Sequence, residues 1–238
     1  MIVNSLINYW PVEEEKLRSL PENECFVCMF SGGKDSALAL ALAIKTGNLH
    51  ELLHCTDMDT QQSVWHLQSL EVVKNQAEAI SSRLKIITYS AWEGRTKLVK
   101  LYQHYVTQGV KSIVFGDLYE EKQAKLQVAL CLSAGLIPRM PLWRRPFEEL
   151  LNLLEVHQIC SIITCLESEK IDSKWLGKKF DRSMYEYFRK LGIDPFGEQG
   201  EFHTTLVNAD YFKKPLLYKI GDLDIFPNNK RIIHIRKP

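Results

Sequence analysis

Ser31-Gly32-Gly33-Lys34-Asp35-Ser36 lies directly between a short apolar run, residues 25–30, and an Ala/Leu-rich run, residues 36–45, closed by Gly47. The first run reads as a strand buried on both faces and the second as a helix with a C-terminal stop. Two consecutive glycines let the backbone turn sharply and approach an anion closely. Amide groups and the dipole at the start of the following helix favour negative charge there. The Ser31 and Ser36 hydroxyls can donate to phosphate oxygens, and Lys34 is expected to add a mobile positive charge. Asp35 is out of place beside a phosphate unless a cation intervenes, which makes it a candidate Mg²⁺ ligand. The loop is not a Walker A element, which needs four residues between its first glycine and Gly-Lys.

Outward from this loop the pattern repeats. Residues 51–55, 84–89 and 110–115 read as further strands, and residues 65–83, 95–107 and 121–134 as helices. Such alternation predicts an α/β fold, a mainly parallel sheet with helices on both faces and ligands at the carboxyl ends of its strands. Beyond Pro138 the texture changes: a helix over 147–157, a strand over 159–166, a helix over 174–191, a polar loop over 194–201 and a small β hairpin or meander over 216–235. The expected organisation is an N-terminal extension (1–23), a phosphate-loop domain (24–136) and a smaller C-terminal α+β domain that binds substrate (137–238).

Composition narrows the function classes. Thirty Lys+Arg against 29 Asp+Glu leave a formal charge of +1, without the basic excess that phosphate-backbone binders carry, so nucleic acid is not the expected partner. Six cysteines sit mostly in apolar runs, where reduced core thiols are usually found, and favour a reducing compartment. No signal-peptide pattern opens the chain and no run approaches 18 apolar residues, so the expected location is cytoplasmic, with no membrane association.

The six-residue loop resembles the SGGxDS signature of the PP-loop ATP pyrophosphatases, which cleave ATP between the α and β phosphates. Three more stretches carry a narrower resemblance. Val114 to Leu118 closes the fourth strand with Gly116 and Asp117, residues 137–143 follow the fourth helix, and Trp175-Leu176-Gly177 begins a later one. Then come residues 195–204, with Gly197, Glu198, Gln199, Gly200, Glu201, Phe202, His203 and Thr204, ahead of Leu206, Val207 and Phe212-Lys213-Lys214. Together these resemble the diphthine–ammonia ligase family from about Cys25 to Ile220.

That resemblance implies an ATP-dependent amide-forming ligase. A substrate carboxylate attacks the α-phosphate, pyrophosphate leaves, and ammonia displaces AMP from the acyl-adenylate. ATP and Mg²⁺ are the implied cofactors. The implied partners are ammonia or ammonium and a carboxylate-bearing acceptor, diphthine on elongation factor 2 or a small molecule. Ser31, Gly32, Gly33, Lys34, Asp35, Ser36 and Asp57 would hold ATP, although Asp57 reads equally as a turn former. Lys34, Asp35, Glu198 and Glu201 are the candidate catalytic residues. Asp117, Gly197, Glu198, Gly200, Glu201, His203 and Thr204 are the candidate acceptor contacts. Glu198 and Glu201 would bind a cationic group or serve as base, or else cap a local turn. Asp117 would touch substrate or Mg²⁺, or cap a helix. His203 stands where the family carries Glu, and Gln199 where it carries Gly. Such a loop resembles a bacterial branch whose acceptor is not diphthine, with a cobalamin-precursor amidation as one suggestion.

Other candidates are weaker. Cys25 and Cys28, like Cys160 and Cys165, are spaced so that strand geometry points their side chains to opposite faces. Cys131 reads as helix packing. No zinc is assigned to the scattered histidines, and His66 is a loose candidate near the nucleotide edge. A PP-loop tRNA-modifying enzyme and a non-catalytic nucleotide-binding module are the alternatives. The oligomeric state stays open, a homo-oligomer included.

Overall fold

A computed structural model describes residues 13–57, 69–89, 94–226 and 229–238. The expected helix start at Trp65, the candidate His66 and Trp92 lie outside them. Five strands, β1 (Cys25–Met29), β2 (Asn48–Asp57), β3 (Leu84–Tyr89), β4 (Ser112–Val114) and β5 (Ile137–Arg139), form one parallel sheet in the order β3-β2-β1-β4-β5. The order reverses at β1, so the loop leaving β1 opens at the switch point where doubly wound sheets take their ligands.

Helices α1 (Glu14–Arg18), α2 (Lys34–Ala43), α3 (Leu70–Ile80), α4 (Gly94–Thr107) and α5 (Glu121–Ala134) accompany this sheet. Alanine and leucine alternate through α2, and Ala37 to Ala41 and Ala43 are all buried. A helix apolar on every side must be covered on every side. The cover comes from β1 beneath and from the second half above, through α6 (Phe147–Val156) and β7 (Phe202–Asn208). The phosphate loop at the head of α2 is thereby held at the junction of two sheets.

That second half carries β6 (Cys160–Leu166), α7 (Arg182–Lys190), β8 (Lys219–Ile225) and β9 (Arg231–Arg236) besides α6 and β7. Its four strands are antiparallel in the order β7-β6-β9-β8. One apolar core runs through both halves, joining Phe30, Leu38 and Leu118 to Phe180, Phe188, Phe196 and Phe202. No helix among the described residues is long and apolar enough to cross a membrane.

Two elements differ from expectation. Residues 137–139 form the edge strand β5 of the first sheet, with Pro138 opposite Ile113. Proline lacks the amide a central strand needs, yet an edge strand tolerates it, so the residue that argued for a break sits inside a strand. The helix expected over 174–191 is instead a 3₁₀ turn (Ser173–Trp175) and the separate α7. Gly177 at φ +76° interrupts the run, and the Asp181 carboxylate restarts it by accepting from the Met184 amide at 3.0 Å.

The segment between α1 and β1 is anchored to the far edge of the sheet. The Arg139 guanidinium on β5 grips Glu24 with two bonds, 3.0 and 2.9 Å, and donates to the Lys16 carbonyl at 2.7 Å. Both side chains of the pair are under 10% exposed.

Candidate active site

Gly32 takes φ +85°, the left-handed conformation that glycine adopts without strain, and Gly33 caps α2 in extended backbone with no side chain of its own to bond the helix start. The loop is braced internally: Ser36 Oγ lies 3.0 Å from Ser31 Oγ and 3.2 Å from the Gly33 carbonyl, and the Gly33 amide donates to Ser31 Oγ at 3.3 Å. A rigid glycine turn leading into a helix N-terminus is an anion cradle.

The second half braces it further. The Leu206 amide donates to the Gly32 carbonyl at 2.8 Å, and Thr204 Oγ1 accepts from the Lys34 amide at 3.1 Å. Gln76 on α3, wholly buried, donates through Nε2 to both the Gly32 and Leu206 carbonyls at 2.9 and 2.8 Å. Thr204, read from sequence as an acceptor contact, is thus bonded to the phosphate loop itself.

Lys34 corrects the sequence reading most sharply. Its ammonium is not a mobile charge: the side chain is 3% exposed and donates to Asp35 Oδ2 at 2.8 Å and to the Phe196 carbonyl at 2.6 Å. Rings of Phe180, Phe196 and Phe202 surround it at 5.2 to 5.5 Å. Cation–π contacts of this kind contribute roughly 0.5–2 kcal/mol each and offset part of the cost of desolvating the charge.

Above the loop opens a cavity of about 410 Å³, lined by Ser31, Asp35 and Ser36 from the loop, Asp117 after β4, and Gly197, Glu198, Gln199, Gly200 and His203 from the second half. The sequence therefore brought most of its candidates to one place. Among the described residues its lining includes no lysine or arginine but four carboxylates, Asp35, Asp117, Glu120 and Glu198. Burial, then the neighbouring Glu198, push Asp117 up to about 7. Burial, then Asp35, push Glu198 up to about 7 as well. Asp35 is also raised, by burial against the opposing pull of Lys34. Crowded carboxylates of this kind either share protons or hold a cation.

Glu198 and Glu201, three residues apart, have separate surroundings. Glu198 Oε1 faces the first half, accepting from the Leu118 amide at 3.0 Å. Glu201 Oε1 instead accepts from the Asp194 amide at 3.1 Å, and its buried Oε2 has no hydrogen-bond partner. Glu201 does not line the cavity, and it fixes the 194–201 loop from within. Asp194 completes that loop by accepting from the Phe196 and Glu198 amides at 2.9 and 3.1 Å. Asp57 ends β2 at the carboxyl edge of the sheet and is likewise not among the cavity residues.

Sequence reasoning passed over Gly116. A Cβ there would come within 2.7 Å of the Ser36 amide nitrogen and 2.8 Å of the Asp35 carbonyl carbon, so the turn after β4 packs directly on the phosphate loop. The glycine was visible beside Asp117 in the quoted stretch, but no local signal ties it to residue 36. Gln123 and Gln127, one helical turn apart on α5, also line the cavity and were missed. All six cysteines are free thiols.

This sheet order, with a glycine turn and helix start at its switch point, is the architecture of the PP-loop class of α/β proteins. Within that class, the chain belongs to the diphthamide synthase family. The model of the diphthamide synthase N-terminal domain matches residues 25–138, and that of the C-terminal domain matches residues 147–237. Among curated proteins it is similar to the diphthine–ammonia ligase of Bos taurus, 29% identical over 125 residues covering 51% of this chain and 46% of that protein. It is also similar to the Homo sapiens diphthine–ammonia ligase, 27% identical over 133 residues covering 54% and 49%. The chain spans about half the length of the curated relatives it matches.

Proposed function

We propose that the chain is an ATP-dependent ligase that adenylates a substrate carboxylate, releases pyrophosphate and joins ammonia to the activated acyl group. The observation that carries this reading is the shared cavity, where the anion-cradling loop and the acidic loop of the second half face one another. Family membership and the ligase names of its relatives point the same way.

In the first step a carboxylate oxygen of the acceptor attacks the α-phosphorus and the bond to the β-phosphate oxygen breaks, giving acyl-AMP and pyrophosphate. The Ser31 and Ser36 hydroxyls and the α2 N-terminus hold the phosphates in line, a positioning role. With no lysine or arginine among the described residues of the lining, the phosphate charge calls for a metal ion. Asp35 and Asp117 fit Mg²⁺, which takes one or two carboxylates and completes its shell with water and phosphate oxygens. When bound, it would neutralise the leaving pyrophosphate. In the second step the ammonia nitrogen attacks the acyl carbon, AMP departs, and one proton must be removed. Glu198, poised at about 7, is suited to accept it. Lys34 and Glu201 act here as positioning residues, by holding Asp35 and the 194–201 loop.

The acceptor is diphthine or another carboxylate. His203 and Gln199 on the cavity wall, in place of the family's Glu and Gly, support a small-molecule acceptor, with a cobalamin precursor as one candidate. The test is product analysis with ATP, Mg²⁺, ammonium and candidate carboxylates. AMP and pyrophosphate should form together, and Asp35→Asn or Asp117→Asn should slow their release at least about 100-fold in a folded protein. Accumulation of ADP, or undiminished turnover in both variants, would overturn the reading.

A further inference from the structure

On β6 and β7, Cys165 and His203 are directly opposed partners of an antiparallel pair. Side chains opposed in this way share a face of the sheet, and a residue two positions along a strand returns to that face. Glu167, just past β6, therefore joins them. His203 Nε2 lies 3.2 Å from Glu167 Oε1. The Cys165 sulfur, a Glu167 carboxylate oxygen and a His203 ring nitrogen all fall within 4.8 Å of one another.

We propose that Cys165, Glu167 and His203 form a binding site for a zinc-like transition-metal ion, separate from the phosphate loop and at the edge of the same cavity. The spacing suits it. Tetrahedral zinc, about 2.0 Å from nitrogen and oxygen and about 2.3 Å from sulfur, sets its ligand atoms roughly 3.3–3.6 Å apart. His203 and Glu167 already stand about that far apart, at 3.2 Å, and no separation in the triangle exceeds 4.8 Å. The donor set is selective: thiolate with imidazole suits zinc and disfavours Mg²⁺, which takes oxygen. Three protein ligands leave a fourth position for water or substrate, the arrangement of open rather than closed zinc sites. His203 also lines the cavity, which gives that position a route to it.

The loop before β9 supplies a competitor. Lys230 Nζ donates to Glu167 Oε1 at 2.5 Å and is the cation this carboxylate holds without metal. Metal entry displaces that ammonium from Oε1 and releases the proton of the Cys165 thiol. The backbone is already anchored here, since the Glu167 and Ser168 amides both donate to the Glu201 carbonyl at 2.9 and 3.0 Å.

The probe is Co²⁺ added to the chelator-stripped full chain without nucleotide, so that failure here leaves the ligase reading untouched. One equivalent should produce a thiolate-to-cobalt charge-transfer band that Zn²⁺ abolishes. Cys165→Ser should remove the band, His203→Ala and Glu167→Gln should each weaken binding at least about ten-fold, and Lys230→Met should tighten it. Cys165 is fully buried; should its serine variant not fold, the other two carry the test. Absence of a band in the wild type, or an undiminished band in His203→Ala and Glu167→Gln, would overturn the site.

Discussion

The Lys34 ammonium donates to the carbonyl of Phe196 at 2.6 Å, across 162 residues of chain. A residue inside the phosphate loop thus fastens the loop that carries Glu198. Replacing it by methionine leaves the Phe196 carbonyl without its donor and Asp35 without its counter-ion. The Lys34→Met protein should lose about 2–4 kcal/mol of unfolding free energy, read from denaturant midpoints. Wild-type stability combined with collapsed ATP affinity would show that the ammonium serves phosphate instead.

Gly116 has no room for a side chain. Gly116→Ala drives a methyl group against the backbone of Asp35 and Ser36, atoms that cannot rotate away. The expected cost is about 1–3 kcal/mol, with a parallel fall in nucleotide affinity measured by calorimetry. An alanine variant that binds ATP normally would mean the phosphate loop yields where its packing says it cannot.

Arg139 and Glu24 form a buried, doubly bonded pair far from the cavity. Removing one partner strands the other charge in a dry site. Arg139→Met should therefore cost roughly 3–5 kcal/mol, while Arg139→Met with Glu24→Leu should recover much of it. Thermal unfolding of the two variants decides the matter, and equal losses would show that the cost is not the unpaired charge.

Acidity provides a test of Glu198. Folding raises its carboxyl from 4.5 to about 7, mainly by burial. A group raised in this way contributes stability that is fully present below its unfolded value and is lost as pH rises through its folded value. Between about pH 4.5 and 7 the wild type should lose on the order of 1–3 kcal/mol relative to Glu198→Gln, whose amide does not titrate. Urea midpoints across that window measure the difference; a flat difference would place the carboxylate in solvent.

Much of this was legible in the chain, for reasons that can be named. The strand, glycine turn and helix around residues 31–36 are local, and the alternation that follows has the period of a parallel sheet. The destination of Lys34 was not local, because it depends on Phe180, Phe196 and Phe202 meeting in space. Glu198 and Glu201 share a residue type and a loop, and only the fold turns one toward the cavity and the other toward the Asp194 amide. Pro138 hid β5 because proline signals a break unless the strand is known to lie at an edge. The cysteine Cys165 looked inert by its spacing to Cys160, whereas its neighbours across the sheet are what matter.

Thr204 already occupies the first amide of α2. A severed first half would present that donor to solvent and to any passing anion, so its grip on phosphate would differ in kind, not merely in strength. Chimaeras that graft this loop onto a foreign second half would have to import the threonine along with it, since the helix start is closed by a hydroxyl encoded 170 positions downstream.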